Sequence, residues 1–141
     1  MLELMKIYIA ARFGLKDVVR QLHQELRQRG HDIVGDWTTH KPIKPYDKNQ
    51  GLAWEYSVED IDCVRVSDVF CLLSDEAGTG MHTELGAAIS HYLDHGRPRI
   101  YVIGEHTARS MFYFHPAVQR LENKKQFLAE VQRLEAIGRK L

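Results

Sequence analysis

The chain has 141 residues, enough to bury the core of one domain without disulfides or metals to support it. Its 19 basic and 19 acidic residues cancel, which argues against binding to a nucleic-acid polymer or an acidic membrane surface. No apolar run reaches the roughly 18 residues of a membrane-spanning helix, and residues 1–6 are too short and too charged for a signal peptide. Cys63 and Cys71 have apolar neighbours and no zinc-binding spacing, so we expect free thiols in a reducing compartment. We therefore predict one soluble, cytoplasmic domain over residues 1–141.

Strand and helix patterns alternate along the first part of the chain. An apolar run at residues 6–11 predicts a strand. Residues 15–29 carry apolar side chains at helical spacing up to Gly30, a typical C-terminal cap. A second strand is predicted at residues 31–35. A strand, a helix and a strand with short connections form a βαβ unit with a right-handed crossover.

Residues 37–55 interrupt this alternation. They contain two prolines, two tryptophans and a glycine but no apolar period, and so long a loop is more often functional than a simple connection. We interpret it as a lid or a subunit contact, with a plain surface excursion as the alternative. A helix is predicted at residues 58–66 with Ser57 as its N-cap, and Asp60 then stands where a capping-box acid would be.

A glycine-containing loop joins a fully apolar strand to the helix that follows it. Residues 69–73 have the length and composition of a buried parallel strand, and residues 81–93 carry apolar side chains at helical spacing. Between them, Gly78 and Gly80 permit backbone conformations and a close ligand approach that a Cβ would prevent. Small-molecule sites of open α/β sheets lie at such positions, just beyond the carboxyl end of a central strand.

Glu84 is the acidic residue near the start of this helix. We expect it in the first helical turn, where the helix dipole would keep it ionised and available as a nucleophile. An ordinary glutamate that stabilises a helix start is the alternative. Gly86, directly behind it, favours the functional interpretation, because small residues there would let the helix lie close to the sheet and turn the carboxylate inward.

The remaining segments complete an α/β pattern. They are a strand at residues 99–103, a short helix at 107–114, a strand at 117–121 and a helix at 124–140. Five strands alternating with helices predict a doubly wound, flavodoxin-like fold, with a five-stranded parallel sheet of order 2-1-3-4-5 and helices on both faces. In that order the end of the first strand should face the loop that carries Glu84, because the switch point lies between strands 1 and 3.

Three segments carry a resemblance to a known family. The first is Lys-Ile-Tyr-Ile-Ala-Ala-Arg at residues 6–12, a strand with an early aromatic residue followed by small ones. The second is an acid-bearing helix that ends in Asp-Val before an apolar strand, at residues 60–69. The third is a glycine loop leading into Glu-Leu-Gly-Ala-Ala, at residues 78–88. In order and spacing they resemble the nucleoside 2-deoxyribosyltransferase-like family, which includes deoxyribonucleoside 5'-monophosphate N-glycosidases.

The resemblance implies cleavage of the N-glycosidic bond of a nucleoside or nucleoside 5'-monophosphate, without a cofactor. Glu84 would be the nucleophile that attacks the anomeric carbon. Asp60 would orient the sugar hydroxyls or handle the proton of the departing base, and Tyr8 would hold the catalytic carboxylate. Water as acceptor would give hydrolysis, and an incoming base would give transfer. The residues expected to bind the substrate are Ala11, Arg12, Ser74, Gly78, Gly80 and His82.

The chain departs from the family where a phosphate would bind. Arg12 stands where the monophosphate glycosidases have a serine, and it would either grip a phosphate bidentately or pair with Asp17. Near the glycine loop only Ser74 and Thr79 offer hydroxyl groups. His82 is either a proton donor to the base or a hydrogen-bonding wall residue.

No metal site is expected, and two further function classes stay open. His91 and His95 have i, i+4 spacing, but no acidic third ligand is in view, so we interpret them as surface residues. The aromatic run at residues 112–115 is too apolar for a free surface, and it would stack a base, line a dimer contact or cap the core. The resemblance favours the contact, because members of the family complete their sites across subunits, and we therefore expect a homodimer or homotetramer. The other classes are a non-catalytic nucleotide-binding or sensing module of this fold, and a different flavodoxin-like enzyme or response module. The response module lacks support, because the acid pattern of a receiver domain is absent from the sequence.

Overall fold

Residues 4–140, which the computed structural model describes, form a five-stranded parallel sheet with helices around it. The strands are β1 (Lys6–Ala10), β2 (Asp32–Ile33), β3 (Val69–Leu73), β4 (Arg99–Ile103) and β5 (Val118–Leu121), in the order β2-β1-β3-β4-β5. The helices are α1 (Lys16–Gln28), α2 (Gln50–Val66), α3 (Gly80–His95) and α4 (Lys124–Lys140). The predicted flavodoxin-like fold and strand order are confirmed. Residues 1–3, half of the segment considered above as a signal peptide, and residue 141 lie outside the described part.

The interior of the sheet is formed by β1, β3 and β4, because their residues are almost all apolar. All five residues of β3 are buried. Tyr8 of β1 pairs in register with Phe70, and their rings stack at a centroid distance of 5.9 Å. Burying side chains of this size stabilises the fold by roughly 1.5–3 kcal/mol each. The carboxyl ends of β1 and β3 therefore lie firmly side by side at the switch point.

The start of α2 differs from the prediction. The helix begins at Gln50 and not at residue 58, so Ser57 lies in its interior. The Ser57 hydroxyl donates to the Trp54 carbonyl, one turn back, at 2.8 Å, and caps nothing. The interpretation of Asp60 as a capping-box acid is wrong for the same reason. Asp60 is a mid-helix residue whose orientation is set by packing.

The segment before α2 is shorter and more ordered than the predicted loop at residues 37–55. Trp37 is buried, and its indole N–H donates to the Ile9 carbonyl at 2.6 Å, which anchors the segment to the end of β1. The helix start was missed because local signals do not mark it. Asn49 precedes the helix without a side-chain cap, and Gly51 lies in the first turn.

The region after β4 contains less helix than predicted. In place of a helix at residues 107–114 there is one 3-10 turn, Met111–Phe114. Tyr113 is buried in this turn, whereas Phe112 and Phe114 are 54% and 53% exposed. The aromatic run is therefore split between the core and the surface. The weakly marked strand predicted at 117–121 is present as β5 and pairs with β4.

A buried histidine connects α1 with the segment after β2. The His23 side chain is 1% exposed, and its Nδ1 lies 3.5 Å from Oδ1 of Asp36. Burial lowers the pKa of His23 to about 4; Asp36 opposes the shift and Arg27 adds to it. His23 is therefore neutral in the folded protein at pH 7, and protonating it favours unfolding.

We predict that folding stability falls as the pH drops from 6.5, the pKa of His23 in the unfolded chain, towards about 4, its pKa in the folded chain. The shift from 6.5 to about 4 corresponds to roughly 3 kcal/mol of unfolding free energy. Asp36 acts in the same direction, since its pKa is lowered in the folded state. Urea unfolding at pH 7 and pH 4.5 should show the loss, and His23→Gln should lose distinctly less. An identical loss in both proteins would contradict the assignment.

Candidate active site

Tyr8 is held rigidly between the sheet and α2. It is fully buried, and its ring stacks on Phe70 with an interplanar angle of 2°. On the other side lies Gly35, which has a φ of +69°. A Cβ on Gly35 would lie 2.8 Å from the tyrosine ring and 2.9 Å from Cβ of Cys63, so only glycine fits between these two side chains. The ring therefore has one orientation, and its hydroxyl group faces Glu84 of α3.

Glu84 lies in the second turn of α3, not in the first as predicted. The helix begins at Gly80 and has no acidic residue in its first turn, so the helix dipole acts on Glu84 only weakly. The expected packing role of Gly86 is also wrong, because this glycine is exposed and a Cβ there would meet nothing within 4 Å. Buried Leu85 and Ala88 hold the helix against the sheet instead.

The environment of Glu84 raises its pKa to about 7. Burial is the largest cause, the charge of Asp60 adds to it, and attraction to the Tyr8 hydroxyl opposes it. The prediction that the helix dipole keeps Glu84 ionised is therefore corrected, since the carboxyl titrates near neutral pH. A carboxyl group of this kind titrates in the range in which enzymes work.

Asp60 of α2 lies close enough to Tyr8 and Glu84 for the three groups to affect one another. Burial raises the pKa of Asp60 to about 6. Burial, followed by the charges of Glu84 and Asp60, raises the pKa of Tyr8 well above its usual value, so its hydroxyl stays protonated. The Tyr8 hydroxyl, Oε2 of Glu84 and Oδ1 of Asp60 are buried, and none makes a hydrogen bond of normal geometry within residues 4–140, although the Tyr8 hydroxyl lies close enough to the Glu84 carboxyl to lower its pKa. Buried polar atoms are rarely left unsatisfied, so this cluster is suited to a polar ligand.

His40 joins this cluster from the segment before α2, and no role was predicted for it from the sequence. Its ring stacks on Tyr56 of α2, with centroids 3.8 Å apart and an interplanar angle of 4°. Its Nε2 is buried and lies 3.8 Å from Oε2 of Glu59. The proximity of His40 lowers the pKa of Asp60, against the effect of burial. The one signal in the sequence was the unusual length of the predicted loop that contains His40.

The glycine loop packs on the stem of Arg12. Gly78 has a φ of +99°, and a Cβ there would lie 3.1 Å from Cβ of Arg12, so the predicted need for glycine holds at this position. Gly80, the first residue of α3, is different, because a Cβ there would meet nothing within 4 Å and a side chain would fit. On the outer side, Arg109 donates to the carbonyl groups of Ala77 at 3.3 Å and Gly78 at 3.0 Å.

The partner of Arg12 is Asp75, and the predicted alternative of an Arg12–Asp17 pair is wrong. Nε of Arg12 donates to Oδ2 of Asp75 at 2.7 Å, and this pair links the end of β1 to the loop after β3. Asp17 instead lies 3.5 Å from Arg20, one turn along α1. Sequence could not reveal the pair, because its members are far apart in the chain and meet only when β1 and β3 are adjacent.

The other predicted substrate-binding residues line the same end of the sheet. The His82 ring hydrogen-bonds to the Tyr113 hydroxyl at 2.9 Å, a contact expected of a wall residue, and a role as proton donor stays a prediction. The Ser74 hydroxyl accepts a hydrogen bond from the His106 amide at 3.2 Å, so it is already used by the loop after β4. Ala11 is half-buried beyond the end of β1 and packs on the core.

Two further expectations concern metals and membranes. His91 and His95 lie with ring centroids 4.3 Å apart, and Nδ1 of His91 bonds the Arg97 carbonyl at 2.8 Å. Within residues 4–140 there is no group of three histidine, cysteine or acidic side chains that could hold a metal ion. The helices of that same part of the chain are all too short or too polar to cross a membrane.

Comparison with known proteins bears on the fold. No protein-family model matches the chain, and no curated protein matches it in sequence. Among solved structures, the chain is similar to the CMP N-glycosidase BcmB of Clostridium botulinum, with a TM-score of 0.55 and 17% sequence identity. The match covers 90% of this chain and 98% of that chain. At this identity the similarity shows a common fold over nearly the whole length of both proteins.

Proposed function

We propose that this protein cleaves the N-glycosidic bond of a nucleoside or nucleoside 5'-monophosphate, with Glu84 as the nucleophile. The observation that carries the proposal is the group of three buried polar atoms without partners, one each from Tyr8, Glu84 and Asp60. Two carboxyl groups that flank the reacting carbon are what retaining glycoside cleavage requires. A common fold with a CMP N-glycosidase supports the same class of reaction.

The reaction would proceed in two displacements at the anomeric carbon. Ionised Glu84 attacks this carbon as its bond to the base nitrogen breaks, and a glycosyl ester of Glu84 forms. The base leaves with the bonding electron pair and takes a proton from protonated Asp60 or from solvent. Water, or a nitrogen of a second base, then attacks the same carbon, releases the Glu84 carboxylate and gives up a proton. The Tyr8 hydroxyl, kept protonated by its raised pKa, would hold the carboxylate in position.

A chromatographic screen tests this proposal directly. The purified protein is incubated with the common ribo- and deoxyribonucleosides and with their 5'-monophosphates, each with and without a second free base. Release of free base shows hydrolysis, and a new nucleoside in the presence of the second base shows transfer. If no base is released from any member of the panel, the proposed reaction is wrong and a binding function takes its place.

We expect the active protein to be a homodimer or homotetramer. Trp54 of α2 is 71% exposed, and Phe112 and Phe114 are more than half exposed. Large aromatic side chains in such numbers are costly to leave in water and are enriched in subunit contacts. Light scattering at micromolar concentration should therefore give a mass of at least twice 16.3 kDa. Trp54→Ser should lower that mass, and a wild-type mass of one chain would contradict the prediction.

A reducing, cytoplasmic setting fits the same proposal. Both Cys63 and Cys71 are free thiols in the structure. Cys63 lies against Gly35, beside the tyrosine of the site, where oxidation to a bulkier form would disturb the packing. The proposed reaction itself uses only protein side chains and a water or base acceptor.

A further inference from the structure

The glycine loop, residues 74–79, connects β3 with α3 at the switch point of the sheet. It follows β3 directly, and its Gly78 packs against the stem of Arg12, which follows β1. Ligand sites of open α/β sheets lie where two such neighbouring strands end, so this loop forms a wall of the cleft. The contacts that hold the loop therefore affect how the cleft receives a substrate.

The backbone of this loop has little support of its own. In the part of the chain that the structure describes, no backbone–backbone hydrogen bond involves residues 75–78. Ala77 is exposed, and the Glu76 amide donates to the side chain of its neighbour Asp75 at 2.7 Å. The ion pair of Asp75 with Arg12, also at 2.7 Å, fixes the first half of the loop. The second half needs another anchor.

Arg109 supplies that anchor from the segment between β4 and β5. Its Nη1 donates to the Ala77 carbonyl at 3.3 Å, and its Nη2 donates to the Gly78 carbonyl at 3.0 Å. A planar guanidinium group holds two successive carbonyl groups in a fixed geometry, which the point-like ammonium group of a lysine cannot reproduce. Among the described residues, no other hydrogen bond joins the backbone of residues 77–78 to another element.

The segment that carries Arg109 is itself firmly attached. Tyr113 is fully buried, and its hydroxyl hydrogen-bonds at 2.9 Å to the ring of His82, in the first turn of α3. Nearer β4, the His106 amide donates to the Ser74 hydroxyl at 3.2 Å. Arg109 therefore reaches the loop from a support that is fixed on both sides of it.

The position of the proposed nucleophile does not depend on this anchor. Met81 and Leu85 are buried and hold α3, with Glu84 between them in the chain, against the sheet. Loss of the contacts from Arg109 would release the loop and leave the helix in place. The wall of the cleft and its reactive group are thus held by separate contacts.

We propose that Arg109 is a positioning residue, which holds the glycine loop in the shape that binds the substrate and does not touch the reacting atoms itself. The inference rests on the proposed glycosidic cleavage and concerns substrate binding at the same site. Disturbing Arg109 weakens binding and spares the chemical step, because only the loop is released.

Kinetics of Arg109 variants test this role. Arg109→Gln should raise KM for the best substrate about tenfold and leave kcat within about threefold. Arg109→Lys keeps the positive charge but loses the two-point contact, so its KM should stay at least about fivefold above that of the wild type. The matched control is Arg120→Gln, which removes an exposed arginine of β5 that lies 3.9 Å from the centroid of the Phe114 ring. It should leave both constants within about twofold.

Three kinetic results would overturn the inference. Full recovery of the wild-type KM in Arg109→Lys would show that the charge matters and the contact with the loop does not. An unchanged KM in Arg109→Gln would show that the loop keeps its shape without this anchor. A loss in kcat as large as the rise in KM would show that Arg109 acts on the chemical step.

A measurement of backbone motion separates this inference from the proposed reaction. NMR order parameters of the amides at residues 77–79 should be about 0.85 in the wild type and fall below about 0.6 in Arg109→Gln, while those of residues 82–88 in α3 stay the same. Equal values at residues 77–79 in both proteins would contradict the anchoring role. If no base is released from any substrate, the reaction is wrong, and the order parameters still decide whether Arg109 holds the loop.

Discussion

Glu84→Gln is expected to lower the rate of base release by about 10⁴-fold or more. Glutamine keeps the size of the side chain, but it does not form the ester with the anomeric carbon on which the two-step reaction depends. The fold should be unaffected or slightly stabilised at pH 8, because burial raises the pKa of Glu84 to about 7 and a neutral amide avoids burying that charge. Steady-state base release and thermal unfolding of the same samples measure both effects.

The matched control is Glu55→Gln, which makes the same chemical change at an exposed position on α2. It should leave both the rate and the unfolding temperature unchanged. A Glu84→Gln protein that turned over a validated substrate at close to the wild-type rate would remove Glu84 from the mechanism. The three buried polar atoms would then need another explanation, such as binding without chemistry.

The second large effect concerns pH. The nucleophile must be ionised, and Glu84 has a pKa of about 7, so kcat/KM should fall about tenfold for each pH unit below that value. Between pH 8 and pH 5 the loss amounts to roughly a hundredfold. Asp60, with a pKa of about 6, interacts with Glu84, so the observed values belong to the pair. This hundredfold loss applies if solvent protonates the base. If protonated Asp60 supplies the proton, the profile should instead be a bell with its maximum between pH 6 and pH 7 and similar rates at pH 5 and pH 8.

Tyr8→Phe tests the assignment of the rising limb to Glu84. The Tyr8 hydroxyl lowers the pKa of Glu84, and its removal should therefore move the rising limb to higher pH. Circular dichroism at each pH confines the comparison to folded protein, which matters because protonation of His23 destabilises the fold towards pH 4. A wild-type profile that is flat from pH 5 to pH 8 would show that no group with this pKa controls the reaction.

Much of the architecture follows from local patterns in the sequence. The apolar run that forms β3 has few alternatives to a buried parallel strand, and its alternation with amphipathic helices leads to the doubly wound sheet. That topology places the ends of β1 and β3 side by side, so chain order alone assigns Tyr8 and Glu84 to one cleft. Hydrophobic periodicity and the order of the elements are sufficient to predict this topology, because both can be recognised from residues that are close together in the chain.

What depends on contacts between distant residues emerged only from the tertiary structure. Helix α2 begins without a local cap and is held by packing, which hid both its start and the true position of Asp60. The pairing of Arg12 with Asp75 exists only because β1 and β3 are adjacent. The raised pKa of Glu84 reflects burial, and burial is decided by the whole fold. The sequence thus determined that Tyr8 and Glu84 share the cleft, while the tertiary structure added His40 and determined the protonation and partners of these groups, because desolvation and long-range pairing have no signature in neighbouring residues.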